Sequence, residues 1–188
     1  ARELAKLTQS DTRFILSDVY GLPSLLDESF DIVFTSYGTI GWLPDINRWA
    51  AVVSHFLRPG GVFVFAEFHP AVWMFDDNFE KIQYSYFNDA PIAETETGTY
   101  AEKDNETAYE FVCWNHGLAE VFNALKRNNI SVVDFDEFNY SPYDCFNEAE
   151  EFEPGKYRIK QLGNRIPMVF SLRGVKQIME KSRFSFCT

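Results

Sequence analysis

Glu67 and His69 stand two residues apart at the end of an apolar run, immediately before Pro70. Residues two apart on a strand share a face, and a proline stops the hydrogen-bond ladder there. A carboxylate beside an imidazole suits catalysis: a histidine of ordinary pKa, near ~6.5, can take a proton from a hydroxyl or an ammonium while the acid orients its ring. The same spacing also suits a purely structural bond from His69 to Glu67 or to a loop carbonyl. His116, beside Trp114, reads as a helix cap or packing residue, with substrate contact as the second reading. Trp42, Trp73 and Tyr143, with a Tyr-rich stretch, supply rings that can exclude water and hold a cationic centre against their faces. Cys113, Cys145 and Cys187 fit no zinc spacing, and no metal site is expected.

These residues need elements to position them. Residues 13–18, "RFILSD", read as a short strand ending in an acid, and 30–36, "FDIVFTS", as a strand buried on both faces. Asp45 offers an N-cap to a helix whose apolar residues Ile46, Trp49, Ala50, Val53, Phe56 and Leu57 recur at helical spacing. Pro59-Gly60-Gly61 supplies a turn into a strand over 62–68, which makes a βαβ unit and hence a parallel pair. From 76 to 110 the chain turns acidic and Tyr-rich. It is too long for an ordinary connection and reads as a β-rich insertion with alternating pieces at 82–87 and 107–114. A helix follows on Leu118, Val121, Phe122 and Leu125, then a strand over 130–138. A polar loop spans roughly 144–165, and an apolar strand runs over 166–176, antiparallel to its neighbour because no crossover helix separates the two.

Composition bounds the function. The chain has 188 residues, 46% of them apolar and 17% aromatic, enough for a core of ordinary domain size. A formal charge of −11 repels polyanions, which argues against nucleic acid and anionic membrane as partners. No run approaches the ~20 apolar residues of a membrane span. A cytoplasmic protein with reduced thiols is expected.

In order and spacing, "FILSDVYGLP", "ESFDIVFTSYG", "WLPDINRWAAVVSHFLRPGGVFVFAEFHP", "NHGLAEVFNALKRNNISVVDFDEF" and "IPMVFSLRGVK" resemble the class I S-adenosylmethionine-dependent methyltransferases of small-molecule type. The resemblance implies a Rossmann-like α/β sheet, mostly parallel with an antiparallel last strand, in which the strands above are the third to seventh of seven. The family's first strand with its Gly-rich loop and its second strand have no counterpart. Residues 1–188 are therefore expected to be one N-terminally incomplete methyltransferase domain, preceded in the natural polypeptide by two strand–helix units, with 76–110 inserted in it. Ligands of such sheets bind beyond the carboxyl ends of the strands. There the resemblance assigns Asp18 to the adenine amino group, the Val19 amide to the adenine ring, and Ser36, Tyr37 and Gly38 to the methionine part of S-adenosylmethionine. Glu67 and His69 are then the catalytic pair. Trp42, Trp73, Trp114, His116 and Tyr143 face a small-molecule methyl acceptor. The rival reading is a non-catalytic Rossmann-like module that serves as a protein interaction surface.

Overall fold

A computed structural model describes residues 1–97 and 108–178 of the chain. After a short helix α1 (Arg2–Leu7), the first strand β1 (Phe30–Thr35) leads through a one-turn 3-10 helix (Ile40–Trp42) to helix α2 (Ile46–Phe56). Asp45 caps α2, its Oδ1 accepting the Arg48 N–H at 2.9 Å, and the helix buries Ile46, Trp49, Ala50, Val53 and Phe56. This is the stripe expected from spacing, except that Val52 is buried as well and Leu57 already belongs to the next strand, β2 (Leu57–Phe68). Gly60 takes φ +81° inside β2, so the Pro-Gly-Gly turn is an irregularity within a longer strand rather than the link before it.

The main sheet has four strands in the order β1-β2-β8-β5, with β5 at Ile130–Phe138 and β8 at Val169–Lys176. β1 and β2 are parallel; β8 is antiparallel to both β2 and β5. Three strands thus run one way, yet two of the three ladders are antiparallel, so the sheet is mixed rather than mostly parallel. The cause is position: the reversed strand sits between two others, where it makes two antiparallel ladders instead of the one an edge strand would make.

α2 and helix α3 (Leu118–Arg127) cover one face of the sheet. Residues at alternate positions meet them there: Phe63 and Phe65 of β2, with Phe170 and Leu172 of β8, pack against Trp49, Val121 and Leu125. Phe63, Phe65 and Phe170 have no exposed surface, and Trp49 stands 5.2 Å from the Phe65 ring. A second apolar cluster gathers Phe68, Val72, Phe79, Ile159, Met168 and Val169.

Two expectations for the first part of the chain are corrected. Residues 13–18 form no strand, because no neighbouring strand among the described residues is present to take their backbone hydrogen bonds. β1 is not buried on both faces: it is an edge, and Ile32 and Phe34, which alternate with core-facing Val33, are 63% and 62% exposed.

The inserted stretch carries a hairpin of β3 (Ile92–Thr97) and β4 (Ala108–Cys113), which matches the alternating piece at 107–114 apart from Thr107, outside the described residues. The piece at 82–87 makes only a single bridge, Phe75 to Ile82. The polar loop over 144–165 contains an unforeseen hairpin, β6 (Ala149–Glu153) and β7 (Lys156–Ile159), turning at Gly155 with φ +72°. Among the described residues no helix is long and apolar enough to cross a membrane.

Candidate functional site

The β1–β2 ladder ends at Thr35 opposite Phe65, and the two strands part at their carboxyl ends. The gap is bridged by one side chain. Glu67, 2% exposed, accepts the N–H groups of Gly38 at 2.5 Å on Oε1, and of Thr39 at 2.8 Å and Ile40 at 3.1 Å on Oε2; the Phe68 N–H also reaches Oε1 at 2.8 Å. Gly38 supplies the left-handed backbone (φ +70°) that lets three successive amides converge, and Thr39 Oγ1 donates to Ser36 O at 2.5 Å across the same turn. Burial pushes the Glu67 carboxyl above its ordinary value, against the opposing pull of these four hydrogen bonds.

Glu67 therefore does not orient His69. The His69 Nδ1 accepts the Ala71 N–H at 3.1 Å, which places the ring proton on Nε2, and Nε2 lies 2.8 Å from Glu137 Oε1 of β5. Nε2 has no other partner, so this contact with Glu137 is its one polar interaction among the described residues. His69 is 5% exposed, and burial lowers its pKa while Glu137 opposes the shift. One ring nitrogen takes a backbone amide, and the other, buried, faces Glu137. The expected acid–base pair is thus two separate contacts on one face. The shared face follows from the spacing; the partners do not.

Above these residues the rings of Tyr37, Phe68 and Tyr143 form a triangle with centroids 5.7, 5.8 and 5.9 Å apart, and Trp73 stands 5.6 Å from Phe68. Trp73 and Tyr143 keep 41% and 37% of their surface exposed. Burial raises the Tyr37 hydroxyl pKa, with Tyr140 and Glu67 adding to the shift. Trp42 is not part of this group: it meets Phe111 of β4, edge on at 5.5 Å, so the aromatic residues form two separate walls.

Trp114 and His116 tie the end of the inserted hairpin to the stretch between β1 and α2 and to α3. The Trp114 N–H donates to Gly41 O at 2.8 Å, and the buried His116 ring places Nε2 2.8 Å from Leu43 O and Nδ1 3.0 Å from Glu120 Oε2. Between them Asn115, equally buried, donates to Pro70 O at 3.1 Å and Ser85 O at 3.0 Å. This segment therefore holds the loops around the site together, the packing reading of His116. Asp18 lies at the start of a turn, its Oδ1 accepting the Tyr20 N–H at 2.8 Å and its Oδ2 the Gly21 N–H at 3.1 Å. Val19 packs on the main core, and the Tyr20 hydroxyl exchanges hydrogen bonds with the backbone of Asp45.

The structure brings Ser36, Tyr37, Gly38, Glu67, His69, Trp73 and Tyr143 to the carboxyl ends of β1 and β2. Glu137, Asn115 and Phe68 also belong there and carry no mark in the sequence: a glutamate in a strand reads as solvated, and Phe68 as core. A cavity of about 450 Å³ between the start of α2 and α3 is lined by Asp45, Asn47, Glu120, Asn123 and Arg127, none of them a residue singled out for chemistry.

Comparison with known proteins bears on the fold. Residues 1–65 match a family described as a methyltransferase domain. No curated protein shows a significant sequence match to the chain. Among solved structures, the chain is similar to a candidate S-adenosylmethionine-dependent methyltransferase from Listeria monocytogenes (TM-score 0.56, 15% identity, 94% of this chain and 76% of that one). It is also similar to S-adenosylmethionine-dependent methyltransferases from Clostridium acetobutylicum (0.55, 12%, 94% and 70%) and Methanosarcina mazei (0.56, 14%, 90% and 69%). At these identities the likeness establishes the fold.

Proposed function

We propose that this chain, which has the fold of the S-adenosylmethionine-dependent methyltransferases, belongs to an enzyme that moves a methyl group from S-adenosylmethionine to a small molecule. The observation that carries the reading is the strand order β1-β2-β8-β5 with β8 reversed, the expected fourth, fifth, seventh and sixth strands in place. Beside the ends of those strands lies a glycine turn suited to close approach of a ligand. A Cβ built on Gly38 would have only Phe68 Cε2 near it, at 4.0 Å, so the backbone there is open on that side.

The residues fit the cofactor in the following way. Asp18 has two oxygens, each already holding one turn amide and each with a lone pair left for the adenine amino group. The Val19 amide serves the ring. Ser36, Tyr37 and Gly38 border the methionine part. When bound, S-adenosylmethionine supplies a methyl group on a positively charged sulfur, ready for direct displacement. The protein's contribution is alignment of the acceptor with that methyl, which can lower a barrier by roughly 7–11 kcal/mol at best. Tyr37, Trp73 and Tyr143 form an aromatic wall on the acceptor side, and its rings exclude water and favour positive charge. Glu67 and His69 lie on one face at the end of β2, and the His69 imidazole is the group there that can take a proton from an acceptor that must lose one.

Calorimetric titration of the full-length natural polypeptide with S-adenosylmethionine tests the reading. Saturable one-to-one binding is expected, followed by turnover in a screen of small metabolites. A folded full-length protein that binds neither S-adenosylmethionine nor its demethylated product would overturn it.

A further inference from the structure

We propose that Glu67 is a positioning residue, whose buried carboxylate holds the Ser36–Ile40 turn in its ligand-binding shape by drawing the Gly38, Thr39 and Ile40 amides onto one point. The inference rests on the reading of that turn as the cofactor's wall.

Three features support it. The turn lies past the last β1–β2 pair, where neither strand offers it a main-chain partner, and no other side chain among the described residues takes these three amides. Amides that converge on one point need an acceptor with two oxygens and full negative charge, which only a carboxylate provides among the side chains. A glutamine in its place would keep one oxygen and turn an NH₂ group toward an N–H donor.

Other tasks for this carboxylate fit less well. A proton-transfer role requires access, and Glu67 is buried with both oxygens occupied by backbone amides. A stabilising role conflicts with its raised pKa, because a carboxyl that is harder to ionise in the fold than in water makes the ionised fold less stable, not more. What the buried charge obtains is an ordered turn. Tyr37 sits within that turn, so the order extends to the ring triangle with Phe68 and Tyr143.

The test compares full-length wild type with Glu67→Gln, using amide hydrogen exchange, S-adenosylmethionine titration and, once an acceptor is found, the separate effects on KM and kcat. Exchange at Gly38, Thr39 and Ile40 is expected to accelerate while Val64 and Phe65 in the ladder stay protected. The dissociation constant and KM for S-adenosylmethionine are expected to rise roughly tenfold or more, the loss of a hydrogen bond to a charged group, with a smaller change in kcat. If the Gln variant does not fold, Glu67→Asp, with the charge on a shorter arm, is expected to give the same pattern. Unchanged exchange at the three amides overturns the inference. So does a loosened turn with unchanged S-adenosylmethionine affinity, or a loss confined to kcat. A wild type that binds no S-adenosylmethionine overturns the function proposed above, and is recognised by that titration before any variant is compared.

Discussion

The imidazole of His69 faces Glu137, 2.8 Å away across the sheet, and not Glu67. Phe170 of β8 lies directly opposite Glu67 on one side and Glu137 on the other, so the two carboxylates flank one buried ring at the same level of the sheet. His69, whose ring is edge-on to Phe170 at 6.3 Å, belongs to the outer carboxylate. The inner one is committed to backbone amides.

The first prediction concerns that ring. Burial favours neutral His69, so its NMR titration is expected below the ordinary value near ~6.5, and Glu137→Gln is expected to lower it further by removing the one charge that favours the imidazolium. For a depressed histidine, the stability gained from the neutral form is complete above ~6.5 and is lost as pH falls through the folded-state value. Urea denaturation at pH 7.5 and at lower pH is therefore expected to show an acid-side loss that His69→Gln reduces. An ordinary titration for His69, unmoved by Glu137→Gln, would contradict the assignment.

Glu67 has the opposite sign. Its folded pKa is raised, so its contribution is fully present below the ordinary carboxyl value of 4.5 and lost as pH rises through the folded-state value. At pH 8 the Glu67→Gln variant is expected to unfold at a denaturant concentration equal to or above that of wild type, despite its loosened turn. A clear drop in the midpoint would make the carboxylate a stabilising group.

Gly174 is held by close approach. A Cβ there would lie 2.6 Å from Ile130 Cγ2 of the neighbouring strand and 3.8 Å from Phe63 Cβ, so Gly174→Ala overpacks the core. A loss of about 1–3 kcal/mol is expected by denaturant titration, partly recovered in a Gly174→Ala, Ile130→Ala double variant. Simple additivity of the two losses would argue that the sheet adjusts elsewhere.

Asp18 links the turn to the proposed cofactor. Asp18→Ala is expected to weaken S-adenosylmethionine binding by about 1.5–3 kcal/mol, measured by calorimetry on folded full-length protein. Asp18→Asn, which keeps one acceptor oxygen, is expected to fall between. Unchanged affinity in both would leave Asp18 with only its two turn amides.

Legibility followed the range of the interactions. α2 was readable because Asp45 caps it and its stripe is local, and β2 and β8 because each is an apolar run with flanking signals. Residues 13–18 read as a strand and are not one, since a strand is completed by a neighbour that its own sequence cannot supply. The β6–β7 hairpin was missed although Pro154-Gly155 marks its turn, because its acidic residues lack the apolar alternation of a half-buried strand. At the site, spacing gave the shared face of Glu67 and His69. It could not give the partners, which come from the turn after β1 and from a strand two places away.

The position of β8 bears on how the chain assembles during synthesis. β2 and β5 emerge from the ribosome long before β8, and neither has the other as a partner. Until Val169–Lys176 is made, Phe68 and Phe138 have no ladder to close, and two edges stay open on either side of a missing strand. The core under Trp49 lacks Phe170 and Leu172 for the same interval. Sheet completion is thus a late, non-local step, slow by contact order and exposed to mispairing while it waits. A released chain truncated before Val169 is expected to be a better chaperone client than one that includes Lys176.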